Sequence, residues 1–146
     1  MCAGSRSAAG ASAAMGEPLA FLLSWAIGGH AGGHRRDVTW AMVERHLRDA
    51  VRRGGVVELD TEIGPHRHSR HMQLRADRNG MILTLGAEHA DDHVVRTWWR
   101  SGISGAQVEI LGDLWDCGMI LDHVPTAISC FREFFETGDV AGEILT

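Results

Sequence analysis

The sequence predicts an α+β fold, an antiparallel sheet of about six strands with two main helices packed on one face. Apolar residues recur at helical spacing in residues 40–51 and again in residues 124–135. Between these stretches, hydrophobic and polar residues alternate in short runs typical of strands. Because the short runs follow one another without intervening helices, hairpin-connected antiparallel strands are favoured over β-α-β units.

The chain of 146 residues suits a single domain, which we place at residues 17–146. Residues 1–16 are small and weakly polar, so we interpret them as a disordered tail or as the product of an upstream start codon, with Met15 as the other candidate start. The apolar run Pro18–Ile27 follows Arg6 and has the composition of a signal-peptide core. We interpret its residues from Leu19 onward as the first strand.

The first helix is predicted to begin after Thr39, whose hydroxyl can cap it, and to run to about Arg53. Gly54 and Gly55 then stop it. The glycine-rich segment Gly28–Gly33, which precedes this helix, is interpreted as a flexible turn. The helix has one apolar stripe, formed by Trp40, Val43, Leu47, Ala50 and Val51.

The middle of the chain has the two-residue period of strands. Val57 and Leu59 alternate with acids, and Met72–Ala76 alternates in the same way. Asn79 and Gly80 can supply the positive φ of a tight hairpin that leads into Met81–Leu85. Further strands are predicted at Val94–Trp99, Gln107–Leu111 and Trp115–Leu121.

The last helix has the clearest pattern in the sequence. Pro125 suits its first turn, where a missing N–H costs nothing, and Gly138 ends it. Its apolar stripe consists of Val124, Ala127, Ile128, Phe131, Phe134 and Phe135.

The histidines offer one candidate metal site. His66, His68 and His71 have a spacing that can bring three imidazoles onto one zinc ion. However, Arg67 and Arg70 are interleaved with them and oppose a dication, so we favour a polar loop and expect no metal and no other cofactor. The alternative is a metal-binding or metal-dependent hydrolytic module that uses this loop. The ligand-rich run Glu88–His93 is likewise interpreted as a solvated connection.

No catalytic motif is present in the sequence. A nucleophile elbow, a P-loop and a dinucleotide-binding glycine pattern are all missing. Cys117 and Cys130 have the local sequence of buried hydrophobic residues. With Cys2 they form an odd set without a C-x-x-C pair, which favours a reducing compartment, the cytoplasm. We therefore expect a protein that is not an enzyme.

Charge is distributed unevenly along the chain. The net charge of −5 argues against binding nucleic acid, and no apolar run is long enough to span a membrane. From Gly105 onward there is one basic residue, Arg132, against eight acids. Such an acidic region suits a basic protein partner. The alternative interpretation is that these acids only keep a small domain soluble. The acids are Glu109, Asp113, Asp116, Asp122, Glu133, Glu136, Asp139 and Glu143.

Four stretches carry a family resemblance: Val38–Leu47, Gly80–Gly86, Val108–Asp116 and Phe131–Val140, the last with a helix that ends in F-x-x-T-G. From Leu19 to the C-terminus the chain resembles the immunity proteins of polymorphic toxin systems. The resemblance implies a cytoplasmic protein that neutralises a cognate toxin by occlusion, without catalytic residues. The toxin would be basic and is often a nuclease or a deaminase.

If the chain is such a protein, its acids are expected to cover the basic active site of the toxin. Trp115 is the candidate anchor, because aromatic residues at interface centres contribute much of the binding energy, although a buried core tryptophan is an equally good interpretation. Glu133 and Glu136 lie opposite the apolar stripe of the last helix and are expected to face solvent. The candidate partner-binding residues are Asp113, Trp115, Asp116, Glu133, Glu136 and Asp139. The sequence leaves the oligomeric state open.

Overall fold

The computed structural model describes residues 19–29, 31–61, 69–89, 91–100, 102 and 105–146. The strands are β1 (Phe21–Ile27), β2 (Ala31–Arg35), β3 (Gly55–Thr61), β4 (Ser69–Asp77), β5 (Gly80–His89), β6 (Asp92–Thr97), β7 (Gln107–Ile110) and β8 (Asp113–Asp116). The helices are α1 (Trp40–Arg53), α2 (Val124–Thr137) and a 3-10 turn at Cys117–Met119. None of the helices in these ranges is long and apolar enough to cross a membrane.

Within the described residues, six strands form an antiparallel sheet in the order β2-β1-β3-β4-β5-β6. The two helices pack on one face of it, so the predicted α+β architecture is confirmed. The core consists of alternate strand residues such as Leu59, Leu74 and Leu83 packed against Leu47 of α1 and Phe131 of α2. The opposite face of the sheet, which carries the intervening strand residues, is called the open face below.

The predicted local signals for the helices are confirmed. The backbone N–H of Met42 donates to the Thr39 hydroxyl over 3.3 Å, so Thr39 caps α1 as expected. Gly54 ends that helix with a positive φ. On α2, Phe131 and Phe134 are fully buried, while Phe135 is half-buried and stacks on Phe21 with ring centroids 5.2 Å apart.

Several local predictions were wrong, and two of them concern β2 and β8. The segment Gly28–Gly33, interpreted as a flexible turn, includes the first residues of strand β2, because Ala31–Arg35 pairs along β1. Gly33 leaves room for the Trp25 ring, which lies 2.7 Å from where a Cβ would be. The strand predicted at Trp115–Leu121 ends at Asp116, because the Asp116 carboxylate accepts from the N–H of Gly118 over 2.8 Å and starts the 3-10 turn.

The hairpin β7–β8 forms a separate two-stranded sheet beside the β4–β5 turn. It is held there by the Asn79 amide, which donates to the Glu109 carbonyl, and by the Leu111 N–H, which donates to Asp77. Arg75 of the open face forms an ion pair with Asp113 over 2.9 Å. Because Arg75 belongs to the open-face residues of β4, the hairpin lies at the edge of the open face.

Candidate functional site on the open face of the sheet

Three adjacent strands place a histidine among carboxylates at the centre of the open face. Asp60 of β3 lies directly opposite His71 of β4, which in turn lies opposite Gly86 of β5. Glu58 and Glu88 are two residues away from Asp60 and Gly86, so they point to the same side. We call Glu58, Asp60, His71 and Glu88 the carboxylate–histidine cluster.

Both ring nitrogens of His71 contact carboxylates. Nδ1 lies 2.9 Å from an oxygen of Asp60, and Nε2 lies 3.2 Å from an oxygen of Glu88. Since an ionised carboxylate only accepts hydrogen bonds, both ring nitrogens satisfy these contacts when both carry a proton. The geometry therefore favours an imidazolium at His71 that bridges β3 and β5.

The pKa values of the pair agree with this arrangement. Burial raises the pKa of Asp60 to about 6, and the charge of Glu58 adds to that rise, although the hydrogen bond from His71 opposes it. Burial acts to lower the pKa of His71, but the hydrogen bond and charge of Asp60, together with Glu88, outweigh it and raise that pKa above 6.5. Between the Asp60 pKa of about 6 and the raised pKa of His71, the pair is therefore ionised on both sides.

The cluster also has the composition of a metal site. The candidate ligand atoms of Glu58, Asp60 and His71 all lie within 4.8 Å of one another. Gln73 donates to Glu58 over 2.9 Å and fixes its position. If the Nε2–H of His71 donates to Glu88, its Nδ1 lone pair is free to bind a cation, which is the carboxylate–histidine–metal arrangement of many metal sites.

A second histidine approaches the cluster over Gly86. His93 of β6 lies opposite Glu88, and a Cβ built on Gly86 would lie 3.5 Å from the His93 ring and 3.9 Å from the His71 ring. The two imidazoles therefore share the space above a residue without a side chain. Of the other histidines considered from the sequence, His66 and His68 lie outside the described residues. The interpretation of Glu88–His93 as a solvated connection was wrong, because Glu88 belongs to β5 and pairs with His93 of β6. His71, assigned to a polar loop, likewise lies within β4.

A shallow depression of about 220 Å³ adjoins the cluster. It is lined by side chains of β1, β3 and β4, among them Ser24, Val56, Glu58 and Gln73. One wall is therefore formed by the same Glu58 and Gln73 that flank the carboxylate–histidine cluster. The open face thus combines a shallow concave surface with an acidic centre.

Of the six predicted partner-binding residues, three lie on the hairpin at the edge of the open face. The Asp113 side chain is 63% exposed although it pairs with Arg75. Asp116 has structural contacts, since it also accepts from the Gly105 N–H over 3.1 Å. Trp115 is half-buried with its indole Nε1 enclosed and unpartnered among the described residues, whereas the neighbouring Leu114 is 64% exposed.

The other three lie at the end of α2, on the opposite face of the sheet, and each contacts its own chain. Glu133 accepts from the Ala141 N–H over 2.8 Å, and Glu136 pairs with Arg132 over 2.9 Å. Asp139 contacts Arg96 and Arg70, which belong to the helix-covered face. Its pKa is lowered, because hydrogen bonds from the Val140 N–H and Arg96 outweigh the effect of burial. The structure therefore does not bring the six residues into one surface.

Of the two cysteines in the described residues, Cys130 lies on the helix-covered side of the sheet. Cys130 is buried on α2, and burial, followed by the charge of Glu133, raises the pKa of its thiol to about 11. A thiol of this kind is almost entirely protonated at neutral pH. Cys117 is half-buried in the 3-10 turn.

One protein-family model matches most of the chain. A model of a family of unknown function, DUF6911, matches residues 24–144, which include both helices and the whole carboxylate–histidine cluster. The chain belongs to the DUF6911 family. A search of curated proteins found no match.

Among solved structures, the DUF6911 fold is similar to the crystal structure of a hypothetical protein from Neisseria gonorrhoeae. The TM-score is 0.67 at 13% sequence identity, and the match covers 84% of this chain and 91% of the other. At this level of identity the similarity shows a shared fold.

Proposed function

We propose that this chain is an immunity-type binding protein that acts in the cytoplasm and neutralises a cognate bacterial toxin by covering it with the open face of the sheet. The observation that carries the proposal is the acidic centre of that face, where three carboxylates surround one imidazole. Occlusion requires a complementary surface and no catalytic residues.

Charge and apolar surface occur together around this centre. Glu88 is 59% exposed, and Val95, which lies opposite Gly86 on the same face, is 51% exposed. At the other side, Asp113 and Leu114 are exposed on the hairpin. Apolar contacts surrounded by acids suit a basic protein surface, because complementary fields speed association while buried apolar area contributes to affinity.

A toxin that acts on nucleic acid requires a positive groove for phosphates. The open face can compete for such a groove with carboxylates in place of phosphates. At the end of α2, Arg132, Arg96 and Arg70 pair with the acids. On the open face Asp113 pairs with Arg75, but Glu58, Asp60 and Glu88 share a single imidazole, so negative charge remains in excess in the cluster. We therefore place the binding surface on Asp113 and the carboxylate–histidine cluster, with Leu114 and Val95 beside them.

The test co-expresses the chain with the product of the reading frame next to its gene, which the proposal expects to be toxic. The double variant Glu88→Arg with Asp113→Arg should abolish protection and slow association of the purified proteins at low salt. The control, Glu136→Arg, reverses one acid on the opposite face and should protect as well as the wild type, and each single open-face reversal is compared with it.

Each outcome of this test has a separate meaning. If the wild-type chain gives no protection against the neighbouring toxin, the immunity function is rejected. If the wild type protects and the open-face variant protects equally well, the proposed surface is wrong. Loss of protection in Glu136→Arg alone would place the interface at the end of α2.

A second candidate function, divalent-metal binding, is favoured by the ligand spacing in the carboxylate–histidine cluster. Two carboxylates and an imidazole with ligand atoms within 4.8 Å suit Zn²⁺ or Mn²⁺. This site differs from the histidine loop considered from the sequence, since it uses His71 with acids of β3. A metal-dependent hydrolytic module would in addition need an open coordination position for water.

Calorimetric titration with Zn²⁺ and with Mn²⁺ tests this second candidate. We expect one equivalent to bind to the wild type and none to the double variant Glu58→Gln with Asp60→Asn. His123→Ala is the control, because His123 lies at the start of α2 and contacts Thr126. The absence of binding, or equal binding to the double variant, would reject the site.

A further inference from the structure

We propose that two copies of this chain associate through the outer edge of β6, which joins their two sheets into one continuous antiparallel sheet. The interface differs from the proposed toxin-binding surface, because it uses the backbone groups of a sheet edge, although Val95 borders both surfaces. It depends on which hydrogen-bonding groups of β6 are free, on the charges that flank them, and on the exposed valines between those charges.

The hydrogen bonds around β6 show which of its backbone N–H and C=O groups point away from β5. The N–H of Trp98 donates to Leu83 of β5, so Trp98 and alternate residues before it point inward to β5. Thr97 exchanges two hydrogen bonds with Thr146 on the outer side. His93 and Val95 therefore also point their N–H and C=O groups outward. Within the described part of the chain, no strand pairs with them there.

Thr146 limits how a second copy can pair with this edge. Since Thr97 is already paired, only His93 and Val95 have outward groups available within β6. Two copies related by a two-fold axis satisfy all of these groups when His93 of one lies opposite Val95 of the other. In this register the axis passes through Val94, which faces its own symmetry mate.

Side chains support the same register. It places Asp92 of each copy opposite Arg96 of the other. Arg96 already contacts Asp139 of its own chain, but it shares that carboxylate with Arg70, so one positive charge remains in excess there for Asp92 of the other copy. Val94 and Val95 are 54% and 51% exposed, and the pairing would cover both. The other edge strand, β2, carries His34 and Arg35, so a two-fold pairing there would bring like charges together.

The expected dimer is weak and depends on concentration, because a short edge strand provides only four backbone hydrogen bonds and a small buried area. Sedimentation velocity of the full chain, from about 10 µM to about 1 mM, should show a monomer–dimer equilibrium. Val95→Pro removes an outward N–H without removing a bond to β5, so the variant should stay folded by circular dichroism and sediment as a monomer.

Two further variants keep the test decisive if Val95→Pro does not fold. Asp92→Arg would put like charges opposite each other and should raise the dissociation constant by about tenfold at low salt. Val94→Cys should form an intermolecular disulfide on oxidation, because directly opposed residues in a non-hydrogen-bonded pair have Cα atoms about 4.5 Å apart. Val94→Cys, and the Val95→Cys variant described next, are made in a background with Cys2→Ser and Cys117→Ser.

The register is tested by the matched variant Val95→Cys. Its symmetry mate would lie two residues out of register, beyond the reach of a disulfide, so it should remain monomeric on oxidation. A wild-type chain that is monomeric at every concentration would overturn the proposal. Equal cross-linking of both cysteine variants, or an unchanged dimer in Asp92→Arg, would overturn the proposed pairing.

Discussion

Gly55 lies where β1 and β3 approach most closely, and its replacement by alanine should be among the most destabilising single-methyl additions in this fold. Gly55 pairs with Ile27 and has a φ of +151°. A Cβ at this position would lie 2.3 Å from the Ala26 carbonyl oxygen and 2.8 Å from the Ile27 Cα. Both contacts are with backbone, so no side-chain rotation can relieve them.

The expected cost has two parts. The unfavourable backbone conformation costs about 1–2 kcal/mol for a residue with a Cβ, and forced separation of a packed region costs about 1–3 kcal/mol. We therefore expect Gly55→Ala to lower the free energy of unfolding by about 2–5 kcal/mol. The cost of moving β3 away from β1 should be the larger part, because Val57 and Leu59 of β3 are packed in the core and would have to move with it.

Gly29→Ala is the matched control. Gly29 also has a positive φ, +80°, but nothing lies within 4 Å of its added Cβ, so only the conformational cost of about 1–2 kcal/mol applies. Urea unfolding followed by circular dichroism gives both values, and failure of Gly55→Ala alone to fold agrees with the expectation. Equal losses for the two variants would refute the argument from close strand approach.

Three further measurements test the cluster, the core and a helix cap. Because the pKa of Asp60 is raised from 3.8 to about 6, the folded state binds a proton more tightly than the unfolded state, so this group lowers stability as pH rises from about 4 to 6. In the wild type this group should lower the free energy of unfolding, measured in urea, by on the order of 2 kcal/mol over that pH range, and Asp60→Asn should abolish this decrease. An unchanged pH profile in the variant would contradict the assignment. The raised pKa of His71 gives a further decrease in stability as pH rises above 6.5. Phe131→Ala, at a fully buried position, should lower the free energy of unfolding by about 3–5 kcal/mol, and a loss below about 1 kcal/mol would mean that α2 is not part of the core. Thr39→Ala should cost about 1 kcal/mol by the same assay, whereas Thr39→Ser should cost little because the hydroxyl that caps α1 is kept.

Local periodicity was sufficient to predict most of the fold. The alternation around Val57 and Leu59 and the stripe of α2 each depend on residues close in sequence, and the structure confirms both. The strand β2 was missed because Ala31–Arg35 has no hydrophobic alternation. Its strand conformation comes from pairing with β1, a tertiary interaction that overrides weak local propensity.

The carboxylate–histidine cluster could be predicted in composition but not in arrangement. Glu58 and Asp60 occupy the polar positions of one alternating strand, and His71 and Gln73 occupy those of another, so each pair was certain to share a face. Which residue lies opposite which depends on the register between β3 and β4. A shift by one residue would move His71 to the other face, and nothing in either strand alone fixes that register.

Counting acids along the chain does not locate the surface that a partner would meet. The C-terminal third contains most of the surplus acids, but Glu136 and Asp139 there have arginine partners within the fold. In the carboxylate–histidine cluster, by contrast, one imidazolium faces the carboxylates of Glu58, Asp60 and Glu88, so two negative charges remain in excess within the cluster. Since a partner responds to the charge that remains after internal pairing, the cluster offers it more unpaired negative charge than the ion pairs of Glu136 and Asp139 do. The open face is therefore where a basic protein or a divalent cation would gain most from binding.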